Sequence, residues 1–241
     1  VETALIQARD MIAHGVDIID IGGESTRPHA ESISVEQELQ RVIPVIEQLR
    51  QITQRPISID TTKAEVARQA IASGADLVND ISGGTFDPQM FPTVAQLNVP
   101  IILMHIRGNP QTMQSLTDYQ DVVSEVAEFL TIQVNKAIAS GISRSKIIID
   151  PGIGFAKQAE QSLELLQRLN ELKALSLPML VGVSRKSFLR PILHQNDPKE
   201  RIWGTAAACY GAIVRGADIL RVHDVRQMYD VCRVADAIER K

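Results

Sequence analysis

Short β-branched runs alternate along this chain with longer segments whose apolar residues recur every three to four positions. The runs are Val16 to Ile21, Pro56 to Asp60, Leu77 to Ile81, Ile101 to His105, Lys146 to Asp150, Met179 to Ser184 and Ile219 to Asp224, and they predict seven strands. Their near-continuous apolar character predicts burial on both faces, as in a parallel sheet covered by helices. Helix-start signals follow several runs: Ser34 with Gln37, Thr62 with Glu65, Asp87 before Pro88, Thr117 with Gln120, Asp197 before Pro198, and Asp224 with Gln227. A small repeat, "GVDII" at 15, "GADLV" at 74 and "GADIL" at 216, places a glycine past each helix and a strand just after it.

Repeated strand–helix units with both faces covered form either a doubly wound sheet or a (β/α)8 TIM barrel. No glycine-rich fingerprint follows the first run, which favours the barrel. Seven strands are one short of eight. The chain opens in a helix with Leu5, Ala8, Met11 and Ile12 on one stripe, so the first strand is expected upstream of Val1. Its slot would lie between the runs beginning at Val16 and Ile219. No linker or low-complexity tract interrupts residues 1–241, and a single domain is expected. Two connections, Gly22 to Ile33 and Lys186 to about Asp197, are too long for plain turns and are candidates for function.

Composition narrows the chemistry. A net charge of -4 provides no basic field for nucleic acid or anionic lipid, so any phosphate must be met by a few local cations. No apolar run reaches membrane-spanning length and no leader pattern opens the chain, so a soluble, cytoplasmic protein is expected. Cys209 and Cys232 lack metal-type spacing and read as reduced thiols.

In a barrel the C-terminal strand ends build the site, and here they are densely polar. Asp60 and Asp150 close their runs and Asn79 sits within "LVNDI"; Gly182, Ser184 and Lys186 alternate, as do Ile219, Arg221 and His223. Any one strand-end Asp reads equally well as a cap or turn residue, and Lys186 alone as a solvated lysine. Arg221 and His223 together are harder to dismiss, because two basic groups at a barrel mouth require an anionic partner. Two carboxylates, an amide and a lysine suit a flat heterocycle with adjacent N–H donors and a carbonyl. Ile81, Met104 and Phe155 are placed to sandwich it, and Arg221 with His223 suits a phosphate or diphosphate.

The segments "DIGGESTRP" at 20, "SIDT" at 58, "VNDISGG" at 78, "LMH" at 103, "DPGIGF" at 150, "SRKSF" at 184 and "RVHDV" at 221 occur in an order that resembles the dihydropteroate synthases, the folate-pathway family inhibited by sulfonamides. The resemblance implies a (β/α)8 barrel that joins p-aminobenzoate to 6-hydroxymethyl-7,8-dihydropterin diphosphate, with Mg²⁺ as cofactor and a homodimer as the assembly. It implies pterin contacts at Asp60, Asn79, Asp150 and Lys186, with Met104, Gly182 and Phe155 lining that pocket. It implies diphosphate contacts at Arg221 and His223, a mobile loop through Thr26, Arg27 and Pro28, and Ser184 near the benzoate carboxylate. His29 stands where the family usually has glycine, and the family's first strand and loop, with an asparagine near diphosphate and Mg²⁺, has no counterpart here. Two other readings share the pterin pocket: a methyltetrahydrofolate methyltransferase, which has no use for a diphosphate site, and a catalytically silent pterin-binding module.

Overall fold

A computed structural model of the chain describes residues 1–27 and 30–240. All seven expected strands occur, shorter than their apolar runs: β1 Ile19–Gly22, β2 Ile57–Asp60, β3 Leu77–Asp80, β4 Ile101–Met104, β5 Ile147–Asp150, β6 Leu180–Val181 and β7 Ile219–Leu220. They pair in parallel in sequence order from β1 to β5 and again from β6 to β7, and a bridge between Ile149 and Met179 joins the two groups. The helices α1 Glu2–Ala13, α2 Val35–Ile52, α3 Ala64–Ala72, α4 Met90–Leu97, α5 Val122–Ala139, α6 Ala159–Gln167, α7 Arg190–Leu193, α8 Ile202–Val214 and α9 Val225–Glu239 connect and cover them.

Strand alternation explains the layering. Ile19, Ile57, Ile59, Val78, Ile101, Leu103, Ile147, Ile149 and Val181 belong to the large cluster packed with helix residues such as Val42, Leu49, Ala67, Val94, Leu130 and Leu165. The opposite faces supply a smaller inner cluster of Leu77, Ile102 and Leu180, with Ile18, Ile148 and Ile219 against it. Two residues further along each strand the inner face turns polar or bare at Asp20, Asp60, Asn79, Asp150, Gly182 and Arg221, with Met104 the apolar exception. Period-two geometry therefore stacks an apolar floor beneath a polar mouth.

Among the described residues no backbone hydrogen bond joins β1 to β7, so the ring is open on that side. A cavity of about 400 Å³ lies there, lined by Val16, Asp17, Ile18, Leu220, Val222 and Tyr229. This matches the expected slot between the first and last runs.

The glycine repeat has a clear structural basis. Gly15, Gly74 and Gly216 all take left-handed φ, at +88°, +114° and +102°, a region glycine enters without penalty. The aspartate two residues later holds the preceding strand: Asp76 accepts the Ile57 N–H at 2.8 Å, and Asp218 accepts the Met179 N–H at 2.9 Å. Asp17, the third member, lines the open side.

Helix starts were only partly legible. Ser34 and Gln37 form the expected reciprocal box, each bond 3.2 Å long, and Asp197 accepts from Lys199 N–H at 2.9 Å. Thr62 does not cap α3; the Ala64 N–H donates to Asp87 at 2.8 Å instead. Asp121, not Thr117, caps α5 through the Ser124 N–H at 2.7 Å. Asp224 makes no cap on α9, because Arg185 occupies its carboxylate.

Asp76→Ala and Asp218→Ala each leave a strand-start N–H without its acceptor. Each is expected to lower unfolding free energy by about 1–3 kcal/mol, measured by denaturant titration. A loss below half a unit at both would show that these carboxylates do not hold the strands.

Candidate active site

The register brings the predicted residues together. Gly22 lies level with Asp60, Asp60 with Asn79, and Met104 with Asp150. Asp60, Asn79 and Asp150 are buried at the mouth. Ile81 and Met104 are buried in one cluster with Ile106, Met113 and Ala156, and Phe155 packs against it, so the expected apolar walls do meet.

Lys186 enters from the loop after β6. Its Nζ donates to the Ile153 carbonyl and lies 4.8 Å from the Phe155 ring centroid, which joins the "DPGIGF" turn to the lysine. Gly182 makes room: a Cβ there would stand 3.7 Å from Lys186 Nζ and 3.8 Å from Arg221 Cβ. The loop is braced from behind. Arg185 adopts φ +60°, its N–H donates to Thr205 Oγ1 at 3.0 Å, and its Nε donates to Asp224 at 2.9 Å. The buried Arg201 guanidinium donates to the carbonyls of Arg185, Gln195 and Asn196 at 2.9, 3.0 and 2.7 Å.

Arg221 and His223 share the rim but not their partners. Arg221 Nε donates to Asp20 Oδ2 at 2.7 Å and Nη2 to Asp60 Oδ2 at 2.7 Å. The anionic partner that the sequence reading assigned to a ligand is thus supplied in part from within. Asp20, at β1, was quoted in a motif but given no role; its position two residues after inward-facing Ile18 was the signal for it. Arg221 Nη1 has no partner among the described residues and remains able to meet an anion. The His223 N–H donates to Ser184 Oγ at 3.1 Å, and its Nδ1 lies 3.0 Å from the same oxygen. Ser184 therefore sits against the histidine.

On the other flank, Thr26 lines a cavity of about 210 Å³ with Asp60, Lys63, Ile81 and Asn109. Lys63 donates to Glu38 at 2.6 Å and to Glu24, tying the root of the long loop to α2. Arg27 is exposed, and its charge is one of those acting on His223. Pro28 and His29 lie outside the described residues.

Burial sets the charge states. Asp60 is pushed up to about 7 by loss of water, reinforced by the Asp20 carboxylate and opposed by Arg221. Burial also raises Asp150, against Lys186 and the Gly152 N–H. Lys186 is pulled down to about 8 by burial, with Asp150 opposing and Arg221 adding to the fall. His223 is lowered by burial, Arg185 and Arg221, so it meets a ligand as a neutral N–H donor more than as a cation.

The folded state holds the Asp60 proton more tightly than the unfolded chain, where an aspartate ionises near ~3.9. Ionising Asp60 therefore costs stability increasingly from that pH to about 7, and fully above it. Asp60→Asn is expected to raise Tm more at pH 8 than at pH 4, read by thermal unfolding; an equal loss at both would show that Arg221 needs the carboxylate more than burial penalises it.

Comparison with known proteins agrees with this geometry. The family model for pterin binding enzymes matches residues 1–223. Dihydropteroate synthase of Synechocystis is 60% identical over 238 residues, covering 99% of this chain and 82% of that protein. Dihydropteroate synthase of Clostridium difficile, solved with pteroic acid, superposes with TM-score 0.94 at 41% identity over 100% of this chain and 89% of its own. The Xanthomonas albilineans enzyme, solved with 4-aminobenzoic acid, also gives TM-score 0.94 at 41% identity, covering 100% of this chain and 85% of that one. The barrel with its polar mouth is the fold of these neighbours, and this chain belongs to the pterin binding enzymes and, within them, to the dihydropteroate synthases.

Proposed function

We propose that the site condenses p-aminobenzoate with 6-hydroxymethyl-7,8-dihydropterin diphosphate, giving 7,8-dihydropteroate and diphosphate. The observation that carries this reading is one mouth presenting Asp60, Asn79, Asp150 and Lys186 beside Arg221, whose Nη1 is free for an anion. A methyltransferase would share the carboxylates and amide but has no use for that guanidinium.

Asp150 and Asp60 would accept the pterin's ring and amino N–H groups, Asn79 would both donate and accept, and Lys186 would donate to its carbonyl. Met104 and Ile81 would flank the ring, and Phe155 beside Lys186 would border the benzoate. Substitution occurs at a methylene carbon: the C–O bond to diphosphate breaks with its electron pair leaving on oxygen, the electron-rich dihydropterin and the Asp60 carboxylate stabilise the cation, and the aryl amine adds and then loses a proton to solvent. Arg221 Nη1 and a neutral His223 N–H would meet the leaving group, with Thr26 and Arg27 closing over it.

Mg²⁺, when bound, would neutralise part of the diphosphate charge. Among the described residues no three His, Cys, Asp or Glu side chains converge, and Asp20 Oδ1 is a buried carboxylate oxygen without a partner beside Arg221. That fits a cation held by one carboxylate and otherwise by substrate oxygens and water.

A homodimer is proposed from the exposed apolar stripe of α8, where Trp203 is 82% exposed and Tyr210 and Val214 lie on the same face. A cytoplasmic setting is proposed from the two unbonded cysteines. No helix among the described residues is long and apolar enough to cross a membrane.

With Asp60 losing its proton as pH rises through about 7 and Lys186 losing its own through about 8, kcat/KM is expected to peak between those values. A profile flat from pH 6 to 9 would remove both groups from the rate. Arg221→Ala is expected to weaken the pterin diphosphate by about tenfold or more while leaving free hydroxymethyl pterin within about threefold, by isothermal titration. Equal losses would mean that Arg221 orders the mouth and does not bind the diphosphate.

A further inference from the structure

Lys157 is a buried lysine that the reaction as described does not use. It is 4% exposed and makes no salt bridge among the described residues. Its Nζ lies 2.8 Å from His105 Nδ1, 3.1 Å from the Gly152 carbonyl and 3.0 Å from the Phe155 carbonyl. Three polar atoms thus surround one buried amine, whose pKa is held well below the usual lysine range by burial and by the Lys186 and Arg107 charges, with Asp150 opposing. His105 is held neutral chiefly by its burial, and its Nδ1 shares a hydrogen bond with the lysine amine.

The turn these bonds span is unusual. Gly152, Gly154 and Ala156 take φ of +68°, +80° and +50°, and for alanine that region is disfavoured. Gly152 admits no side chain, because a Cβ would stand 2.0 Å from the His105 carbonyl oxygen. Sparsely populated conformations persist only where the surroundings over-determine them. Here the carbonyls of 152 and 155 turn inward onto Lys157, while that of Ile153 turns toward the mouth and onto Lys186. The two lysines grip alternate sides of one turn, and the turn carries Phe155 to its place beside Lys186.

We propose that Lys157 is a positioning residue for the aryl amine half of the reaction: its buried side chain holds the 152–156 turn in the left-handed conformation that sets Phe155 against Lys186, without touching either substrate. This rests on the assignment of Phe155, beside Lys186, to the benzoate border. Asp150 ends β5 in register with Met104, and Asp60 and Asn79 stand on other strands, so the pterin pocket depends on Lys157 much less.

The test is Lys157→Met in the full-length protein, a change that keeps the chain length and removes the donors. KM for p-aminobenzoate is expected to rise about tenfold or more while Kd for hydroxymethyl pterin, by isothermal titration, stays within about threefold. An unchanged KM, or equal factors in KM and Kd, overturns the proposal. Should Lys157→Met fail to fold, Lys157→Gln, which retains two donors, is read by the same two quantities, with a rise in KM above about threefold and an unaltered Kd as the supporting result and any other as the overturning one. Wild-type protein that turned over no p-aminobenzoate would bring down the functional reading and this inference with it, whereas a wild-type KM in the variant brings down the inference alone.

Discussion

Arg221 joins β7 to β1 and β2 across the side of the ring where no backbone hydrogen bond among the described residues does so, through Asp20 at 2.7 Å and Asp60 at 2.7 Å. That bridge sets the charge balance on one side of the mouth, while Asn79, Asp150 and Lys186 stand on other elements. Without the guanidinium, the Asp20 and Asp60 carboxylates would face each other as like charges in a partly desolvated cleft. With it, the mouth tolerates Asp20, Asp60, Asp150 and Lys186 together, each within reach of an opposite charge. The bridge does not cancel the penalty: Asp60 remains raised to about 7 despite its arginine. Stability has to come from elsewhere, and the isoleucine-rich outer faces of the strands packed under the helices are the evident source.

Burial at the mouth acts in opposite senses on acids and bases. It lifts Asp60 and lowers Lys186 until the two titrate within a narrow range about neutrality, at about 7 and about 8. A heterocycle that both donates N–H groups and accepts at a carbonyl needs the carboxylate ionised and the lysine protonated at the same pH. The site meets that requirement near neutrality, and the Asp150 carboxylate near Lys186 helps to keep the lysine protonated within that range.

Much of this was legible in the sequence, for reasons that differ between elements. The strands could be located because their outward faces are continuous Ile, Val and Leu, and the strand-end polar residues because inward period-two positions switch chemistry at one level. β6 and β7 came out at two residues each, although the Arg221 N–H still donates to the Val181 carbonyl at 3.1 Å while its side chain serves the mouth. Caps were less legible. Thr62 and Thr117 satisfy a local pattern, yet Asp87, distant in sequence from α3, and Asp121, a few residues on from Thr117, reach the orphan N–H groups better. Asp224 was assigned to the helix it precedes and is spent on Arg185 instead. Such choices depend on which loop lies over which helix, which no window of sequence contains.

Asp20 and Lys157 were missed for a deeper reason. Each lies within or beside a recognisable motif, but its work is done through another residue: Asp20 through Arg221, and Lys157 through the carbonyls of Gly152 and Phe155. A residue that touches the substrate must match the substrate's chemistry and so leaves a chemical signature in the sequence. One that holds a backbone carbonyl in place needs only to be a donor at the right distance. The "DPGIGF" turn shows the difference. Its Asp could be read as a ligand acceptor and its glycines as a bend, whereas the contacts that brace the turn around Ala156, at φ +50°, come from a buried lysine with no carboxylate partner among the described residues. Its meaning appears only once the inward direction of those carbonyls is known.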